Sequence, residues 1–178
     1  MRRRLRQRQL VVRSRAQGCG KGLAILGPLV FAVSLGSGGR RARKREGDGA
    51  TPIGIWPIRC VLYRPDRIAR PRTAIPVARI RRSDGWCDAA GDRNYNRPVR
   101  LPYPASAEQM WRDDGLYDIV VVLGHNDRPR VAGGGSAIFM HLMRPDGAPT
   151  AGCVAFRKRH LLHVLRWLGP RASVRIVG

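Results

Sequence analysis

Cys153 and His141 are the two residues of this chain best suited to attack a carbonyl carbon. They stand 12 residues apart, on either side of Arg144-Pro145-Asp146-Gly147-Ala148-Pro149, a run with turn chemistry. When such a strand–turn–strand connection folds back on itself, a thiol and an imidazole can face each other. The imidazole then takes the thiol proton, the sulfur attacks a carbonyl, and the imidazolium protonates the leaving amine. Gly152, just before the cysteine, leaves room for substrate, and backbone N–H groups at Cys153 and its neighbours fit an oxyanion hole. Spacing alone does not separate this from a buried cysteine and a strand-end histidine with structural roles.

The other candidates carry weaker signals. His125-Asn126-Asp127 reads as a polar turn after a strand. His160 and His163 lie among Arg157, Lys158 and Arg159 and read as solvent-facing. Trp86 and Tyr95 fit either stacking on a ligand such as a sugar or packing within their loop. Cys19, Cys60, Cys87 and Cys153 form no CxxC pair, so neither a zinc ribbon nor a thioredoxin-type motif is indicated, and no metal or other cofactor is expected. A disulfide among Cys19, Cys60 and Cys87 stays open.

The elements that must position the pair read as mainly β. Leu10 to Arg13 is a first strand, and Leu23 to Leu26 with Val30 to Leu35 form a hairpin across Gly27-Pro28. Arg40 to Ala50 reads as an exposed loop, and Thr51 to Ile58, broken by prolines, as a sheet-edge strand. Cys60 to Tyr63 and Ile75 to Ile80 are further strands. Gly85 to Pro104 reads as a long loop or insertion, and Ser106 to Arg112 as a short helix capped by Ser106. Tyr117 to Leu123 is the clearest buried strand. Ala137, Phe139 and His141 share one face of the next strand. Leu161, Leu162, Leu165 and Leu168 mark a helix that Gly169-Pro170 stops, and Ser173 to Val177 closes the chain.

At 178 residues the chain suits one domain, here spanning 1–178 with residues 1–9 as a disordered basic tail. Its 34 bases face 12 acids, a formal charge of +22, and only Lys21, Lys44 and Lys158 are lysines. Such a surface attracts anions. Nucleic acid is disfavoured, because the arginines are scattered and not interleaved with aromatic residues. Leu23 to Leu35 follows a basic stretch, yet Gly27-Pro28 interrupts it and no small-x-small site follows, so no secretory signal is assigned. The run is also too short to span a bilayer.

Gly135-Ser136-Ala137-Ile138-Phe139-Met140-His141, continued by Arg144 to Ala155 with Thr150-Ala151-Gly152-Cys153, resembles the catalytic segment of the L,D-transpeptidase (YkuD-type) family. Lys44 to Gly54 resembles the family's opening motif, with its Thr-Pro-x-Gly core. Gly85-Trp86-Cys87-Asp88 with Asp92-Arg93-Asn94-Tyr95-Asn96 resembles the insertion of a bacterial subgroup. The resemblance implies Cys153 as nucleophile, His141 as general base and Gly152 as part of the oxyanion turn. Thr150, in the same turn, is a candidate substrate contact, and Arg144 and Arg97 are candidate carboxylate partners on residue type alone. The family usually has Ser/Thr-His-Gly-Cys, where this chain has Ala151 before Gly152. It commonly has Arg or Asn two residues past the cysteine, where this chain has Ala155, and its His-to-Cys interval is usually longer.

The implied architecture is a sandwich of mixed sheets with one or two short helices. The implied reaction is acyl transfer on peptidoglycan peptide stems, making 3→3 cross-links, or L,D-carboxypeptidase activity where water resolves the acyl-enzyme. Such a substrate implies the cell envelope or periplasm, and a monomer is expected. The rival reading is a catalytically impaired basic protein that binds wall polymer or nucleic acid, which Ala151 and Ala155 favour.

Overall fold

The computed structural model describes residues 7–15 and 20–178. The chain opens with β1 (Gln7–Ser14) and the hairpin β2 (Lys21–Leu26) and β3 (Leu29–Ser34), turning through Gly27 at φ +58°. Short β4 (Arg40–Arg41) and β5 (Thr51–Pro52) pair in parallel, followed by β6 (Gly54–Tyr63) and β7 (Val77–Arg79). The insertion holds β8 (Asp84–Cys87), β9 (Arg97–Arg100) and β10 (Ala107–Gln109). Then come β11 (Ile119–Leu123), β12 (Phe139–Leu142), β13 (Val154–Phe156), the helix α1 (Lys158–Trp167) and β14 (Leu168–Ile176).

Nine strands form one mixed sheet in the order β11-β12-β13-β3-β2-β1-β14-β6-β7. Because β6 also pairs with β11, the sheet closes on itself and β7 hangs from the outside of β6. Three pairs are parallel (β1–β14, β12–β13, β6–β7) and the others antiparallel. The fold is therefore mainly β with mixed pairings and one helix, as the sequence reading expects.

The enclosed core takes one face from almost every strand: Leu10 and Val12, Ala24 and Leu26, Val33, Val61, Val121, Met140, Val154, Phe156 and Val174. Helix α1 adds Leu161, Val164 and Leu165 to the same cluster, on the i, i+3, i+4 spacing that makes one apolar stripe. Nothing at its start favours a helix. Arg157 makes no side-chain cap, no acid stands in the first turn, and Lys158 and Arg159 oppose the dipole. Burial of the stripe holds it in place.

Several expectations are corrected. Thr51 to Ile58 is not one edge strand: Thr51-Pro52 forms β5 beside β4, and Gly54 to Ile58 runs into Cys60 to Tyr63 as the single ten-residue β6, flanked by β14, β11 and β7. Pro57 sits where β6 passes from β14 to β11, and a missing N–H is least costly at such a handover. Ser106 to Arg112 is not a helix. Its Ala107–Gln109 pairs with β8, whose open edge satisfies backbone groups that a two-turn helix satisfies poorly. The loop read over Gly85 to Pro104 contains the hairpin β8–β9, so the insertion is a three-stranded sheet. Gly169-Pro170 belongs to β14, and Gln7 to Gln9 belong to β1 rather than to a tail, because β14 offers them a parallel partner. Residues 1–6 and Cys19 lie outside the described residues, and Cys60 and Cys87 are free thiols. Lys44, in the loop read as exposed, is buried and ion-paired to Asp48.

The helix stripe makes a stability prediction. Leu165→Ala should lower unfolding free energy by about 2–5 kcal/mol in urea titration, and Leu162→Ala, half-buried, by less than half of that. Equal losses at both positions would contradict the assigned face.

Candidate active site

Strands β12 and β13 run parallel with Met140 opposite Val154, His141 opposite Ala155 and Leu142 opposite Phe156. Alternation sends Met140, Leu142, Val154 and Phe156 into the main core. It sends Phe139 and His141, with Cys153 and Ala155, to the opposite face. That face carries a second apolar cluster in which Phe139 and Cys153 join Tyr117, Val120, Val122, Met110 and Ile80. The imidazole and the thiol thus look into one cavity of about 440 Å³, which Glu108, Arg112, Tyr117 and Arg144 also line. A larger groove of about 1160 Å³ lies on the far side of the insertion, around Arg79, Arg81 and Trp111, and contains neither His141 nor Cys153. Size points to that groove; chemistry points to the smaller one.

The turn that carries the thiol is tightly specified. Gly152 sits at φ +134°, and a Cβ there would come 2.8 Å from the Ala50 carbonyl oxygen, so only glycine fits. Thr150 Oγ1 donates to the Cys153 carbonyl at 2.7 Å and accepts from the Gly152 N–H at 3.1 Å. The Thr150 backbone is tied to the segment that follows β3, its N–H donating to Leu35 O and its carbonyl accepting from Ser37 N–H, both at 2.9 Å. Thr150 therefore builds the turn that holds Cys153.

Cys153 is buried, 8% exposed. Its Sγ–H donates to the Ala137 carbonyl at 3.2 Å, and its sulfur accepts from the Phe139 N–H at 3.3 Å. Burial pushes the thiol up to about 12, with the Glu108 charge adding and the Phe139 N–H and Lys44 opposing. His141 Nδ1 lies 2.8 Å from the Leu142 carbonyl oxygen. A carbonyl only accepts, so Nδ1 carries the proton and Nε2 is left as a bare base. Burial pulls the imidazole down to about 4. At neutral pH both groups are uncharged, and in this structure they share the cavity without bonding each other.

Tyr117 stands edge-on to the His141 ring at 5.4 Å, and its hydroxyl donates to Glu108 Oε1 at 2.6 Å. Burial raises Tyr117 well above its usual range and raises Glu108 as well. Arg112 lies 3.8 Å from the same carboxylate and pairs with Asp114. Arg144 is exposed at the rim. The sequence reading missed Glu108 and Arg112 because it placed both on a helix, and it took Tyr117 only as the start of a strand. Glu46 and Asp88 also line the cavity, and both lie in segments the sequence had singled out.

The other candidates fall elsewhere. Arg97 is exposed on β9 and does not line the cavity. His125 is buried against Trp56, ring centroids 4.6 Å apart, and its Nε2–H donates to Gly134 O at 3.0 Å. His160 and His163 are not solvent-facing but half-buried, their rings 5.2 and 5.9 Å from Phe31. Trp86 packs edge-on to Phe139 at 5.1 Å, and the buried Tyr95 donates its hydroxyl to Glu46, so both belong to the packed insertion. Among the described residues no group of three or more His, Cys, Asp or Glu is placed to hold a metal ion. None of their helices is long and apolar enough to cross a membrane.

The family model for the L,D-transpeptidase catalytic domain (YkuD) matches residues 8–176, nearly the whole chain. This protein belongs to that family of L,D-transpeptidases, whose members act on peptidoglycan stems. No curated protein matches it.

The burial of His141 predicts a titration. Its imidazole should protonate with a midpoint near 4 in the folded chain, against about 6.5 unfolded. Between those values the unfolded chain binds more protons, so this residue lowers folded stability as pH falls from about 6.5 to about 4. An NMR midpoint at 6 or above would contradict the assignment. Cys153 should likewise resist iodoacetamide at pH 8 in the folded protein and react readily in denaturant, as a thiol held near 12 requires.

Proposed function

We propose that this chain is a cysteine-dependent acyltransferase on peptide stems of peptidoglycan, with Cys153 as nucleophile and His141 as base. One observation carries the reading: a thiol and an imidazole with a bare Nε2 face the same cavity from paired parallel strands, in a chain of the L,D-transpeptidase family.

Because both groups rest uncharged, attack and proton transfer go together. His141 Nε2 takes the Sγ proton as the sulfur bonds to the carbonyl carbon after the L-centre of diaminopimelate in a tetrapeptide stem. The Gly152 N–H is already held by Thr150, so the Cys153 N–H is the donor of this turn assigned to the developing oxyanion. Collapse breaks the C–N bond, D-Ala leaves with the proton from the imidazolium, and a thioester remains on Cys153. An amine of a second stem then attacks the thioester, Nε2 takes its proton, and the sulfur leaves and is reprotonated. Water in place of the amine gives L,D-carboxypeptidase activity. Arg144, exposed at the rim, suits a stem carboxylate as a bidentate partner. Such chemistry belongs in the cell envelope, where stems are found.

A second reading, a binding protein that has lost catalysis, is favoured by the thiol's bond to Ala137 in place of one to His141, and by Ala151 and Ala155. Intact mass after incubation with a carbapenem separates the two. A single adduct is expected on wild type, none on Cys153→Ala, and acylation slower by about 100-fold or more on His141→Ala. Muropeptide assays then identify the acceptor. Folded wild type that takes no adduct would favour the binding protein.

A further inference from the structure

The insertion reaches the nucleophile through one side chain. Asn96 is buried, 6% exposed, and its amide makes four hydrogen bonds, its full capacity. Oδ1 accepts from Trp86 Nε1–H at 3.0 Å and from the Ala137 N–H at 3.1 Å. Nδ2 donates to the carbonyls of His125 and Asn126, both at 2.9 Å. Two N–H donors at one end and two carbonyls at the other leave a single way to orient the amide. The bonds join the hairpin β8–β9, the turn after β11 and the approach to β12.

Ala137 is the informative partner. It sits at φ +51°, in the left-handed region, where an alanine Cβ crowds the backbone and the conformation persists only if neighbours impose it. Its carbonyl is the group that accepts the Cys153 Sγ–H, and an ordinary negative φ would swing that carbonyl away from the sulfur. The second group on the sulfur, the Phe139 N–H, belongs to the residue whose ring packs against Trp86. Both backbone contacts of the thiol are therefore backed by the insertion, one through Asn96 and the other through Trp86.

We propose that Asn96 is a positioning residue for the nucleophile: it holds Ala137 in the left-handed conformation, aims the Ala137 carbonyl at the thiol, and so sets the direction from which Sγ attacks. The inference rests on Cys153 being the nucleophile. It differs from a purely structural tie in what it requires of the Ala137 N–H bond, since the bonds to His125 and Asn126 alone would suffice to anchor the insertion.

Carbapenem acylation followed by intact mass at several drug concentrations separates the saturating rate from the apparent affinity. The comparison is made at a temperature where circular dichroism finds each variant folded. In Asn96→Ala the saturating rate should fall about 100-fold with apparent affinity within about threefold. Adding Ala137→Gly should recover about tenfold, because glycine takes the left-handed conformation without the steric cost. Asn96→Asp keeps an acceptor for the Ala137 N–H but loses donors to His125 and Asn126. Its stability should fall while its saturating rate stays within about threefold of wild type, and it carries the test alone if Asn96→Ala does not fold. A wild-type saturating rate in folded Asn96→Ala, a double variant no faster than the single one, or a folded Asn96→Asp with a 100-fold loss would each overturn the inference. Failure of the nucleophile reading is distinguishable: wild type then takes no adduct, or the adduct persists in Cys153→Ala, and this inference falls with it.

Discussion

Burial of the β11–β12–β13 wall on both faces is the constraint on which the rest depends. All five residues of β11 and all four of β12 are buried, so neither strand can slip by one residue without exchanging its core side for its site side. Met140 and Phe156 anchor one face in the main core. Phe139 and Cys153 occupy the other, under the insertion. Parallel pairing then determines which residues meet: His141 and Ala155 are opposite each other, and Cys153 lies two residues back on the same face. Because the two strands are parallel, the chain leaving His141 must run back to the start of the neighbouring strand, and Cys153 stands at that start.

That burial also sets the electrostatics. In a chain with a formal charge of +22, the acids Glu46, Asp88 and Glu108 gather at the cavity beside Arg112 and Arg144. The general positive field does not reach the thiol as an ionising influence. Desolvation wins, with Lys44 only partly opposing it, and the sulfur rests protonated. A protonated sulfur needs a base beside it to react, and the bare Nε2 of His141, in the tautomer held by the Leu142 carbonyl, faces the same cavity.

The fold and the pair were legible for the same reason. Ile119 to Leu123 is apolar on both faces, and the hairpin across Gly27 has a turn residue that needs positive φ, so local sequence and tertiary position agree. The insertion was not legible because its strands are three or four residues long and polar. Glu108 and Arg112 are spaced to pair on a helix, and only the open edge of β8 makes Ala107–Gln109 extended. Pro57 misled in the same way: a proline marks an edge unless the strand changes partners there, which is a property of the closed sheet and not of the segment. The acids and Arg112 of the cavity come from segments distant in sequence, and no local pattern ties them to Cys153.

Two of the departures from the family's usual motif, Ala151 and Ala155, gain a spatial meaning from the same geometry. Ala155 is buried directly opposite His141, where a long cationic side chain two residues past the cysteine would have to share the face with the imidazole. In this chain cations enter the cavity from elsewhere, Arg112 from the insertion side and Arg144 from the turn between the two strands. Ala151 is exposed in the turn, and the hydrogen bonds that shape that turn belong to Thr150, which the chain retains. The motif has therefore changed at positions that line the cavity. The parts that hold Cys153, namely Thr150, Gly152 and the Ala137–Phe139 backbone, are all present.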